Sequence, residues 1–190
     1  MKYIVIFGPP GSGKGTQSSK IIEKYGYAHI STGDVLRAEI LNGTELGQKA
    51  SEYIKDGQLV PDDLIIEMLA QTLDKTEAKE GVIFDGFPRT TPQAKALKEM
   101  LNARGGDVNT MLSLEVPKEE LITRLVERGK SSGRADDNLK VIEARILVYE
   151  NETAPVMDFY KEEGTHQAIN GLGSIDDIFG RITEVLDALN

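Results

Sequence analysis

The chain contains no cysteine among its 190 residues. Disulfides and Cys-ligated zinc are therefore excluded. Histidine is scarce: only His29 and His166 occur, each near a strand-like run. Both read as structural rather than catalytic groups. No apolar run approaches the ~18 residues that span a bilayer. The first apolar stretch, Tyr3–Phe7, is short and passes directly into a glycine loop, unlike a secretory leader. The expectation is a cytoplasmic protein without a membrane partner. Positive charge is in the minority: 22 Lys and Arg face 31 Asp and Glu, a formal net charge of −9. Such a field repels polyanions, so nucleic acid is not an expected partner. An anionic substrate would need a local basic cluster.

What is present is concentrated in a few places. The run Tyr3-Ile4-Val5-Ile6-Phe7 leads into Gly8-Pro9-Pro10-Gly11-Ser12-Gly13-Lys14-Gly15-Thr16, which opens a helical segment. Strand, glycine loop, lysine and helix together grip nucleotide phosphates. The glycines let backbone N–H groups turn onto phosphate oxygens, the helix start adds partial positive charge, and Lys14 adds a full one. The residue after Lys14 is Gly15, and the hydroxyl comes one place later at Thr16. A Mg²⁺ ion would then depend more on phosphates, water and a carboxylate.

Along the chain, strand-like runs at Tyr3–Phe7, Tyr27–Ile30, Val82–Asp85, Met111–Val116 and His166–Ile169 alternate with helical segments. Helices are expected at 14–25, 33–42, 45–56, 62–75, 91–104, 118–129, 137–163 and 175–189, with Pro155 kinking or dividing the 137–163 segment. The alternation predicts an α/β fold, a parallel sheet with helices on both faces. Ligands in such folds bind beyond the C-terminal strand ends. Two regions depart from the alternation. Residues 31–60 form a helix-rich insert, and residues 127–137, polar and glycine-bearing, read as a mobile flap.

Three further constellations carry charge chemistry. Asp85-Gly86-Phe87-Pro88-Arg89 follows an apolar run. Its carboxylate suits an outer-shell place near Mg²⁺, and its guanidinium suits two parallel bonds to a phosphate. Ser31-Thr32-Gly33-Asp34 makes a helix cap, which leaves Arg37, one turn later, unexplained. Arg124 and Arg128 share a helix face, with Arg134 in the flap and Arg145 on the next helix. A cage of fixed cations is what a transferring phosphoryl group requires.

Taken together, the motifs resemble the adenylate kinase family of nucleoside-monophosphate kinases in its short-lid form. The likeness runs from Tyr3 to the C-terminus and includes Thr90-Thr91-Pro92-Gln93, Arg128-Gly129, Ser132-Gly133-Arg134 and Asp136-Asp137. It implies a P-loop NTPase-type core over 1–30, 61–126 and 138–190, an NMP-binding insert over 31–60 and a lid over 127–137. It implies the reaction MgATP + AMP ⇌ MgADP + ADP, and so a place in adenine nucleotide homeostasis.

Carried over by position, Gly11, Ser12, Gly13, Lys14, Gly15 and Thr16 would hold ATP phosphates, with Arg124, Arg128 and Gly173 also at the ATP side. Thr32, Arg37, Gln58, Leu59, Val60, Gly86, Phe87, Pro88, Arg89, Gln93, Arg134 and Arg145 would hold AMP. Lys14, Arg89, Arg128, Arg134 and Arg145 would act on the transferring group, and Asp85 would hold Mg²⁺ through water. Longer lids in the family can bind zinc through four cysteines; no zinc is expected here. A monomer is the expected state.

Two other readings stay open at this point. A UMP or CMP kinase would share the fold, but in those relatives alanine tends to replace Thr32 and asparagine tends to follow the Asp-Gly-Phe-Pro-Arg motif. This chain has Thr32, Thr90 and Gln93. A P-loop switch protein would want a direct Ser/Thr metal ligand and a second loop sensing the γ-phosphate.

Overall fold

The computed structural model describes residues 1–134 and 136–189. Among them, five strands form one parallel sheet in the order β2-β3-β1-β4-β5. The strands are β1 (Lys2–Phe7), β2 (Ala28–Ser31), β3 (Gly81–Asp85), β4 (Thr110–Glu115) and β5 (His166–Asn170). The helices are α1 (Lys14–Tyr25), α2 (Thr32–Leu41), α3 (Glu45–Ile54), α4 (Asp62–Lys75), α5 (Thr91–Asn102), α6 (Lys118–Ser132), α7 (Leu139–Val148), α8 (Val156–Glu162) and α9 (Ile175–Asp187). None of them is long and apolar enough to cross a membrane.

Alternation along β1 explains why both sheet faces are covered. Tyr3, Val5 and Phe7 join one core with Phe84, Leu69, Leu97, Leu101 and Tyr160, from β3, α4, α5 and α8. Ile4 and Ile6 join a second core with Ile83, Ile21, Ile178, Ile182 and Leu186, from β3, α1 and α9. Each fully buried side chain of this size contributes roughly 1.5–3 kcal/mol through apolar burial, so the central strand is fixed from both sides. A third cluster, Leu121, Leu125, Ile142 and Ile146, pins α6 to α7. Register then levels the strand ends: Ile6 pairs with Asp85 and Leu112, and Ser31 pairs with Asp85. The loops after β1, β2 and β3 therefore open on one edge.

One expectation needs correction, and another holds with a refinement. The polar stretch from residue 127 is helical as far as Ser132, because α6 runs on to a left-handed Gly133. Gly129 makes that possible, since a Cβ there would lie 2.6 Å from the Asp137 carbonyl oxygen. The returning chain is packed directly on the helix backbone. Of the expected flap, Ala135 lies outside the described residues. The 137–163 segment does divide, but the disturbance starts six residues before the proline. α7 ends at Val148, and Tyr149–Thr153 forms a π-helical turn before Pro155 heads α8. Pro155 carries no N–H, and the residue before it, Ala154, donates to Tyr149 O at 2.8 Å, a five-residue step.

Candidate active site

The phosphate loop follows β1 without a break. Gly13 caps α1 in a left-handed conformation, φ 96°, with no side-chain cap, so the helix start is left for an external acceptor. Lys14 is the first helical residue. Its Nζ donates back to Gly8 O at 2.8 Å and Pro9 O at 2.9 Å. Burial pushes the Lys14 pKa down to about 8; the Asp85 charge opposes this, and Arg89, Arg145 and Arg128 add to it. Ser12 Oγ is buried and has no hydrogen-bond partner among the described residues.

Asp85 ends β3 beside this loop. A Cβ built on Gly15 would lie 3.9 Å from Asp85 Oδ2. His29, read from sequence as structural, brings Nε2 to 3.5 Å from the same oxygen, across β2 and β3. After Asp85 the chain turns through Gly86, whose carbonyl accepts from Thr32 Oγ1 at 2.9 Å and from Arg89 Nε at 2.7 Å. Burial holds the Arg89 pKa down to about 10, with Arg145 reinforcing and Asp85 opposing. Arg89 is thus charged at neutral pH but poorly solvated, which favours an anionic partner.

A cleft of about 1140 Å³, part of it open to solvent, lies between these elements. Lys14 lines it, and so does every residue expected at the AMP side except Arg134: Thr32, Arg37, Gln58, Leu59, Val60, Gly86, Phe87, Pro88, Arg89, Gln93 and Arg145. Leu36, Ile65, Val148 and Tyr149 supply apolar wall. Thr153 also lines it, so the π turn shapes this wall. One edge of the site is held by Asp62, to which sequence reasoning gave no role. Its Oδ1 accepts from Gln93 Nε2 at 2.7 Å and its Oδ2 from Thr90 Oγ1 at 2.9 Å.

The remaining expected residues lie around the cleft. Arg128 makes two bonds to Asp137, Nε to Oδ2 at 2.8 Å and a terminal nitrogen to Oδ1 at 2.6 Å. Ser132 donates to the same carboxylate at 2.9 Å. Arg145 meets Asp136 at 2.5 Å and Asp137 at 3.5 Å. Asp136 and Asp137 therefore hold two of the expected cage arginines, a pairing that only the folded chain reveals. Arg37 is paired with Asp34. Burial lowers the Arg145 pKa, and burial together with Arg37 and Arg128 lowers that of Arg134. Arg124 Nε pairs with Glu120 at 2.7 Å, and a terminal nitrogen donates to Gly171 O at 3.1 Å. That bond brings Arg124 to the loop after β5 that contains Gly173. Among the described residues no group of three or more His, Asp or Glu is gathered as a metal site.

A parallel sheet with a phosphate loop after its first strand, and a second cation-lined cleft beside the loop lysine, defines a P-loop nucleotide kinase. The comparisons narrow the class. A family model described as adenylate kinase matches residues 6–165. Adenylate kinase of Bacteroides fragilis is 60% identical over 189 residues, covering 100% of both chains. That of Parabacteroides distasonis is 62% identical over 187 residues, 98% of each chain. That of Porphyromonas gingivalis is 51% identical over 187 residues, 98% of this chain and 96% of the relative. The chain belongs to the adenylate kinase family. It is a phosphotransferase with adenylate kinase activity.

Proposed function

We propose that AMP occupies the cleft and ATP the phosphate loop, with Lys14 between them. The observation that carries this is the convergence of Lys14, Arg37, Arg89 and Arg145 on one cleft in a chain of net charge −9. Arg37, Arg89 and Arg145 would hold the AMP phosphate. Thr32, Gly86–Pro88, Gln58–Val60 and Gln93 would hold its nucleoside. Gly11–Thr16 would cradle the ATP phosphates through backbone N–H groups, with Arg124, Arg128 and the Gly173 backbone toward the rest of ATP.

Mg²⁺ would arrive with ATP. It prefers oxygen ligands and keeps several waters, which suits a single carboxylate, Asp85, at the loop mouth. It would neutralise phosphate charge there. Residues 31–60 would act as the AMP-binding insert. The segment up to Asp137 would act as a lid that brings Arg134 to the phosphates and excludes water, which would otherwise accept the phosphoryl group. The same reading keeps the enzyme a cytoplasmic monomer, on sequence grounds alone.

A nucleotide panel tests it. With ATP as donor, AMP should exceed CMP, UMP and GMP as acceptor by about 10²-fold or more in kcat/KM, because a polar base site leaves groups unpaired with the wrong base. Comparable values for AMP and CMP would overturn the assignment of the cleft.

A further inference from the structure

We infer that Asp62 sets the base selectivity of the acceptor site by locking the orientation of the Gln93 side-chain amide. The inference rests on Gln93 facing the AMP base, as proposed above.

A glutamine amide can be turned over in place, exchanging its oxygen and nitrogen. Here the surroundings allow one orientation. Gln93 Oε1 accepts from the Arg89 backbone N–H at 2.7 Å, and Gln93 Nε2 donates to Asp62 Oδ1 at 2.7 Å. A carboxylate only accepts and a backbone N–H only donates. Turning the amide over would set oxygen against oxygen and N–H against N–H. Gln93 is only 2% exposed, so water cannot relieve that clash. Asp62 is held in turn: its other oxygen takes the Thr90 hydroxyl at 2.9 Å, and that hydroxyl oxygen accepts from the Gln93 N–H at 3.3 Å while capping α5.

The locked amide keeps one N–H and one lone pair for the cleft, in a fixed order. Adenine presents an amino donor beside a ring-nitrogen acceptor; a 6-oxopurine presents an oxygen acceptor there instead. The fixed order fits the first pattern. The turned-over amide would fit the second, so the cost of turning becomes discrimination against 6-oxopurines. Asp62 does not line the cleft. It is a positioning residue acting through Gln93.

The test compares AMP with IMP, which differ at the 6-position pattern, as acceptors for wild type, Asp62→Asn and Gln93→Leu. Asn is nearly isosteric with Asp and can either donate or accept, so it releases one of the two locks. For Asp62→Asn, the AMP-to-IMP ratio of kcat/KM should fall about tenfold, through a higher KM for AMP and a gain with IMP, while KM for ATP stays within about twofold. An unchanged ratio, or parallel losses with both acceptors, would overturn the role of Asp62, since loosened structure alone would weaken both alike. If Gln93→Leu leaves acceptor preference unchanged, the base-facing role of Gln93 fails and the inference falls with it. Melting temperature establishes that the variants fold. Should Asp62→Asn not fold, Asp62→Ser, which also suits a first helical turn and also donates and accepts, is read by the same criteria.

Discussion

Lys14→Met should cut turnover by about 10²–10³-fold or more while leaving the fold intact. Removing one preorganised charge aimed at a developing anion costs that much. The fold should not suffer, because burial disfavours the ammonium where it sits. With a pKa of about 8 in the folded protein against 10.5 for an ordinary lysine, the folded state binds fewer protons between those values. The lysine therefore weakens folding fully below pH 8, and that cost fades as pH rises toward 10.5. At pH 7 relief of that cost offsets the lost bonds to Gly8 O and Pro9 O, so the methionine variant should melt near the wild-type temperature. Nucleotide phosphates would restore the ammonium, so ATP binding at pH 9 should take up protons and at pH 6.5 take up few. Calorimetry in two buffers of different ionisation enthalpy reads this. A folded variant with more than about a tenth of wild-type activity would contradict the assigned role of Lys14. Proton-neutral ATP binding at pH 9 would contradict the lowered pKa of Lys14 rather than its role.

Arg89→Lys should lower kcat/KM for AMP by about 10²-fold, with KM for ATP nearly unchanged. Lysine keeps the charge but loses the planar fork that makes two parallel bonds to a phosphate, so this exchange is not conservative. It also loses the Nε bond to Gly86 O that aims the guanidinium. Initial rates at varied AMP and fixed ATP, then the reverse, separate the two constants. Equal rises in both KM values would move Arg89 out of the acceptor site.

Much of this site is legible in the sequence because its signals are local. The phosphate loop and the Asp85–Arg89 turn each lie within a few residues of a strand end, and periodicity places those ends. Parallel register then levels them without further information. What stayed hidden depends on side-chain pairs that only the folded chain brings together. Asp62 and Gln93 are 31 residues apart, and nothing near Asp62 marks it as more than a helix-start acid. Asp136 and Asp137 sit in the expected motif, but their claim on Arg145 and Arg128 needs α6 and α7 packed together. The extension of α6 to Ser132 has the same cause. Glycine and serine there read as loop, yet Arg128 and Ser132 share the buried Asp137 carboxylate, which ties down the last turn.

The proposed geometry puts two adenine nucleotides on one chain with their phosphates meeting at Lys14. A ligand joining two adenosines through five phosphates should therefore fill both places at once. Titration calorimetry should give one ligand per chain, competition with both ATP and AMP, and an affinity at least about a hundredfold above either alone, since the second half binds as an intramolecular event. Affinity no better than that of ATP, or two ligands bound per chain, would contradict it.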